Sequence, residues 1–200
     1  MPVSLERTRA LQLAIERNEY NVEECYYSPN YPTLAELAAG GEQARRELMS
    51  FLILLLFEIG EASGARDKMN EHQLKVAEGD LVREFYFLRT SELLLFAVRF
   101  RTGRYGRFYG SVDSMIIFGA LREFIAERNE EMDRYDKEHR AAVSEINRRG
   151  AVSRERYLEM VANGERIEPV KLVTLEEYLA WRFADGSYGN YGNNGSYGKG

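Results

Sequence analysis

Apolar residues recur at helical spacing along most of the chain, and glycines and prolines punctuate them. Leu5, Leu11 and Ile15, with Ala10 and Ala14, trace one face of a first helix over residues 5–19. The stretch Cys25-Tyr26-Tyr27-Ser28-Pro29-Asn30-Tyr31-Pro32 reads as a loop, because two prolines and an Asn oppose helix. Thr33 and Glu36 form a capping box opening a short helix that Gly40-Gly41 closes. A longer helix follows over residues 42–60. It contains the most apolar run of the chain, residues 48–59, which is too short for the roughly 20 residues of a bilayer span. It reads as a buried core helix.

Beyond a connector at residues 61–67, Leu74, Ala77, Leu81, Phe85 and Leu88 mark one face of a helix over residues 70–88. Thr90 or Ser91 caps the next helix, residues 92–102. Its Leu93–Val98 segment is apolar all round and fits a buried strand by periodicity alone; the helical flanks favour helix. Gly103 stops it.

A long helical pattern then fills residues 114–149. Phe118, Leu121, Ile125, Arg128, Met132, Tyr135, His139, Ala142 and Ile146 alternate at spacings of three and four, a coiled-coil-like seam with Arg128 and His139 as polar entries. Such a helix is about 50 Å long, so its second half, residues 122–149, must project, bend back or meet a partner. Two readings stand for it. Residues 127–149 are a solvated charged helix, or Arg128, Met132, Tyr135, His139, Ala142 and Ile146 pair with a second copy or a partner helix. Residues 153–161 form a short helix ended by Asn163-Gly164, and a second capping box, Thr174 and Glu177, opens the last one. From residue 186 to 200 the chain is Gly, Tyr, Asn, Ser and Lys only, too poor in aliphatic surface to order. The expectation is an all-α irregular bundle: one domain over residues 1–185 and a disordered tail over 186–200.

Composition narrows the chemistry. A single Cys25 among 200 residues excludes an internal disulfide and a Cys-rich zinc site. The net charge of −5 opposes coating of nucleic acid along the whole surface. No apolar leader precedes the first helix, so a cytoplasmic location is expected. Phosphate-loop, dinucleotide-loop and nucleophile-elbow motifs are missing. Asp136 and His139 stand one helical turn apart, but a di-metal bundle needs a second carboxylate-x-x-His pair, and the sequence has none. Glu23-Glu24 and Glu130-Glu131 read as solvated charge. The expected protein is not an enzyme and carries neither metal nor cofactor.

The segment with most potential chemistry is 99–110. Arg99, Arg101, Arg104 and Arg107 interleave with Tyr105, Phe108 and Tyr109, and three glycines loosen the backbone. Guanidinium forks bind phosphate and aromatic rings stack on bases. The plain alternative is a helix connector whose aromatics plug the core. Of the windows 1–90, 91–121, 122–149 and 150–200, only residues 91–121 are net positive, two acids against four arginines, so a local contact with single-stranded nucleic acid or a nucleoprotein is compatible with overall acidity. If the four arginines share one exposed face, the contact gains support; if they splay into ion pairs, with Glu92 or Asp113 for example, it loses it.

Phe85-Tyr86-Phe87-Leu88, Ser91-Glu92-Leu93, Gly103-Arg104-Tyr105-Gly106-Arg107-Phe108-Tyr109-Gly110 and the Leu121-Arg122-x-Phe124-x-x-Glu127-Arg128 stretch together resemble a group of small, uncharacterised helical proteins of Bacteroidota phages and mobile elements. That resemblance implies an accessory role of the replication type and carries over no catalytic residue. The expected function is therefore a non-enzymatic accessory protein contacting nucleic acid through residues 99–109. The other reading is an adaptor acting by helix pairing.

Overall fold

The computed structural model of the chain describes residues 5–64, 66–106, 111–164 and 172–183. The fold is all-α, and side-chain caps set most of its boundaries. Helix α1 (Glu6–Glu16) carries Leu11 and Ile15 inward. Helix α2 (Val22–Tyr27) starts where the Asn21 side chain accepts from the Glu23 amide. Its last turn lies in the stretch the prolines assigned to a loop. Pro29 constrains Ser28, the residue directly before it, and leaves Tyr27 free, so the helix closes at Tyr27 unhindered. Helix α3 (Leu34–Ala39) opens on the Thr33–Glu36 box. Gly41, at φ +91°, then turns the chain into α4 (Glu42–Ala62).

Helix α5 (Glu71–Glu84) opens on an Asn70–Gln73 box. It ends a turn before Leu88, because the Leu88 and Tyr86 carbonyls accept from the Leu34 and Ala35 amides instead of continuing the helix. Helix α6 (Thr90–Arg101) follows, with Glu92 accepting from the Arg89 amide. Two-residue strands β1 (Asp67–Lys68) and β2 (Ser111–Val112) pair in parallel, tying the connector before α5 to the start of α7 (Ser114–Gly150). The Asp113 side chain accepts from the Ile116 amide and caps α7. Two short helices complete the chain, α8 (Arg154–Ala162) and α9 (Leu175–Arg182).

Helix α6, whose Leu93–Val98 segment is apolar all round, is the axis of the core. Leu93, Leu94, Leu95, Phe96 and Phe100 are buried in it. Helices α1, α2, α4 and α7 pack around it. Phe96 meets Phe100, Tyr105 and Phe124 at centroid distances of 5.7, 5.8 and 5.7 Å. Polar groups at the buried start of α6 are matched: Thr8 and Thr90 share a hydrogen bond, and Ser91 donates to the Cys25 carbonyl. Among the described residues no helix is long and apolar enough to cross a membrane.

Helix α7 is 37 residues and about 55 Å long. Its first half lies on α6 and its middle on α2. Its distal half is accompanied by α9, which returns along it. The Asn147 side chain exchanges two hydrogen bonds with the Val173 backbone, at 3.0 and 2.9 Å. Further along, Tyr178 lies against His139 and Phe183 stacks on Tyr27. Of the three courses open to this helix, the chain largely supplies its own covering. The Gly/Tyr/Asn tail lies outside the described residues.

Candidate functional site

Every polar entry of the α7 seam faces a carboxylate or a hydroxyl of the same chain. Arg128 pairs with Glu92, which is fully buried on α6. His139 is 3% exposed and its Nε2 meets Glu23 of α2; a carboxylate partner there calls for Nε2–H as the donor. Arg182 of α9 holds the other oxygen of Glu23 at 3.1 Å. Between these two pairs Glu131 accepts from Tyr26 and from Arg99, the latter at 2.9 Å. Tyr27 donates to Asp136. The seam residues are thus joined to α2, α6 and α9 by a ladder of charge.

Burial sets the protonation along this ladder. It pushes the Glu92 carboxyl above the ordinary carboxylate range, against the opposing pull of Arg128 and the Arg89 amide. Burial alone would raise Glu131 as well, but the Tyr26 hydroxyl and the Arg99 guanidinium outweigh it and hold that carboxyl below the usual range. Burial and the Glu131 carboxylate push the Tyr26 hydroxyl far above the phenol range, so it remains a donor. Burial pushes the Cys25 thiol up to about 12, with Glu24 adding to the effect. A thiol so raised is not a nucleophile at neutral pH.

The Arg/aromatic segment divides. Arg99 is 8% exposed, bonded to Glu131, with its second terminal nitrogen 3.5 Å from Glu127. Arg104 pairs with Glu127 at 2.9 Å. Tyr105 is buried against Phe96 with its hydroxyl donating to Glu127. Arg101 is exposed. Arg107, Phe108 and Tyr109 lie outside the described residues. The four arginines therefore do not form one free cationic face. Two of them are matched by α7 carboxylates, Glu127 and Glu131, rather than by Glu92 or Asp113. The reason is geometric: Arg99 reaches α7 because α6 packs on it, and the turn with Gly103 and Gly106 at positive φ keeps Arg104 and Tyr105 beside Glu127.

The proposed interface residues divide too. Met132 and Tyr135 pack on the core and Ala142 is half-buried, whereas Ile146 is exposed. Sequence reasoning read Glu23 and Glu131 as solvated charge, and it named Glu92 as an ion-pair candidate for the 99–107 arginines whereas its partner is Arg128. The one local signal was Glu92, a carboxylate directly preceding an all-apolar run. Among the described residues no three His, Cys, Asp or Glu side chains converge on a possible metal position.

Beyond Ile146 the chain presents a different surface. None of the residues of α8 is buried. Tyr157, Leu158 and Val161, at spacings that share one helical face, are exposed, and Val152 beside them is exposed as well. A nine-residue helix is marginal by itself in water, and this one leaves its apolar face open among the described residues.

Residues 68–168 match the model of a family of unknown function, DUF6633. The matched stretch begins at the end of β1 and includes all of α8. It leaves out α1–α4 and α9, hence the carboxylate of Glu23 and its α9 partner Arg182. No curated protein and no solved structure matches the chain.

Proposed function

The chain belongs to the DUF6633 family, whose function is unknown, and from its own geometry we propose that it is a helix-pairing adaptor: a rigid helical body that holds out the end of α7 and α8 as a docking element for protein. One observation carries this reading, the uncovered face of Tyr157, Leu158 and Val161 on a helix with no buried residue. Burying a side chain of this size on a partner is worth about 1.5–3 kcal/mol, enough for three of them to support a specific contact. The neutralised Arg99 and Arg104 favour it over a nucleic-acid contact at residues 99–109, because a guanidinium already matched by a carboxylate gains little from phosphate.

Photocrosslinking tests it. The full chain with a benzophenone amino acid in place of Tyr157 is irradiated in its native cells. Protease-sensitive adducts that disappear with Leu158→Asp are expected. Nuclease-sensitive adducts, or none, would sink the adaptor reading, and the former would restore nucleic acid as the partner.

A further inference from the structure

The buried imidazole of His139 has no place in the adaptor reading, and its surroundings give it one of its own. Its Nε2 meets Glu23, while its Nδ1 is buried with no hydrogen-bond partner among the described residues. Aromatic rings enclose it. Tyr27 of α2 stands edge-on at 5.0 Å and Tyr135 of α7 lies at 6.4 Å. Tyr178 of α9 and Phe183, the residue that ends α9, lie at 5.8 and 6.4 Å. Two of the four rings thus arrive with α9, and the burial of His139 depends on that helix.

This seat accommodates one proton on the ring. A neutral imidazole spends its single N–H on Glu23. A second proton would sit on Nδ1, a cationic donor among rings with no acceptor. Glu23 would attract that charge, but it already holds Arg182 of α9 at 3.1 Å. Burial works against the Arg182 charge, and Glu23 outweighs it and keeps the guanidinium protonated. The other charged and titratable groups around the ring are engaged. Asp136, one turn before His139, accepts from Tyr27, whose hydroxyl burial pushes far above the phenol range. The Tyr178 hydroxyl accepts from Arg182, and Arg134 lies over the Tyr135 ring. With α9 lifted, water reaches both ring nitrogens, and a solvated imidazole takes up its second proton between about pH 5 and 8.

We infer that α9 is a proton-sensitive strap: it closes over His139 at neutral pH and lifts in mild acid as the ring takes up a second proton, baring Glu23, Tyr27 and His139 on the α2–α7 seam. The sign follows from linkage, because the lifted state binds the extra proton and falling pH favours it. The strap is built to move by itself. It is an eight-residue helix, marginal alone in water. It is fastened at one end by the Asn147–Val173 hydrogen bonds, and at the other by Arg182 on Glu23 and the Asn30 side chain on the Phe183 carbonyl. The inference stands apart from the adaptor reading, which concerns the face of α8.

Hydrogen exchange of the full chain at pH 7.5 and 5.5, expressed as protection factors to remove the intrinsic pH dependence, tests it. Protection over residues 175–182 should fall about tenfold, the change for an imidazole titrating near 6.5 only when α9 is lifted, with α6 unchanged. His139→Gln keeps an N–H for Glu23 but takes no second proton, so its α9 protection should be the same at both values. The wild type also reports directly by NMR of ¹⁵N-labelled histidine. The chain has two histidines, and exposed His72 is the internal reference. The doubly protonated His139 signal should grow in step with the loss of α9 protection. Unchanged or stronger α9 protection at pH 5.5 overturns the inference, as does an equal loss in His139→Gln. A His139 ring that becomes doubly protonated beneath a protected α9, or a loss that extends to α6, overturns it too.

Discussion

Arg99 shows how one residue joins three elements. It leaves α6 near its C-terminus, reaches Glu131 on α7, and shares that carboxylate with Tyr26 of α2. Removing one member of a largely buried ion pair leaves the other uncompensated, so Arg99→Ala should cost about 3 kcal/mol in urea unfolding. Glu131 adds a pH dependence of definite sign. Its carboxyl is held below the ordinary value of 4.5 in the folded chain. In that window the unfolded state binds more protons, so stability rises with pH. The contribution is present above pH 4.5 and is lost as pH falls through the folded value. Glu131→Gln should accordingly lower the urea midpoint at pH 7 and flatten its decline below pH 4.5. Cys25, with its thiol pushed up to about 12 and no exposed surface, should not react with a thiol-exchange reagent at pH 8 until the chain unfolds. Absorbance of the released aryl thiolate reads this out directly.

At the scale of elements, the distal half of α7 depends on what packs beside it. Its charge pattern alone fits a solvated helix equally well. The Asn147–Val173 pair of hydrogen bonds, the Tyr178–His139 contact and the Phe183–Tyr27 stack hold α9 against it. The Asn147–Val173 pair is local to the end of α7 and the approach to α9. Asn147→Ala should therefore loosen α9 by about 1–2 kcal/mol without unfolding the body. Hydrogen exchange is expected to speed up over residues 175–182 and around His139, with α4 and α6 unchanged. Uniform acceleration through the whole chain would show that α9 is instead part of the global folding unit.

For the molecule as a whole, exposed apolar side chains cluster at α8, with Tyr157, Leu158 and Val161, and along α4, with Leu54 and Phe57, among others scattered over the described surface. Trypsin reports on the first. Cleavage after Arg154 and Arg156 should precede cleavage within the body, and should slow as protein concentration rises if a second copy covers α8. A cleavage rate at these bonds independent of concentration would count against self-association.

Local chemistry wrote the helices into the sequence. The Thr33–Glu36 and Thr174–Glu177 boxes and the stop at Gly103 operate within three or four residues, so they can be read without knowing the fold. The Leu93–Val98 segment, apolar all round, likewise reads as buried, although periodicity alone fits strand as well as helix. The fate of the charges was not legible. Glu23 meets Arg182 across 159 positions, Glu92 meets Arg128 across 36, and Arg99 meets Glu131 across 32. Nothing in the neighbourhood of Glu23 or Glu131 distinguishes it from solvated charge. Only the packing of α2, α6, α7 and α9 decides which carboxylate leaves water and which guanidinium follows it. That decision packed Met132, Tyr135 and His139 of the seam against the chain's own helices, neutralised Arg99 and Arg104, and left Ile146 and the apolar face of α8 exposed.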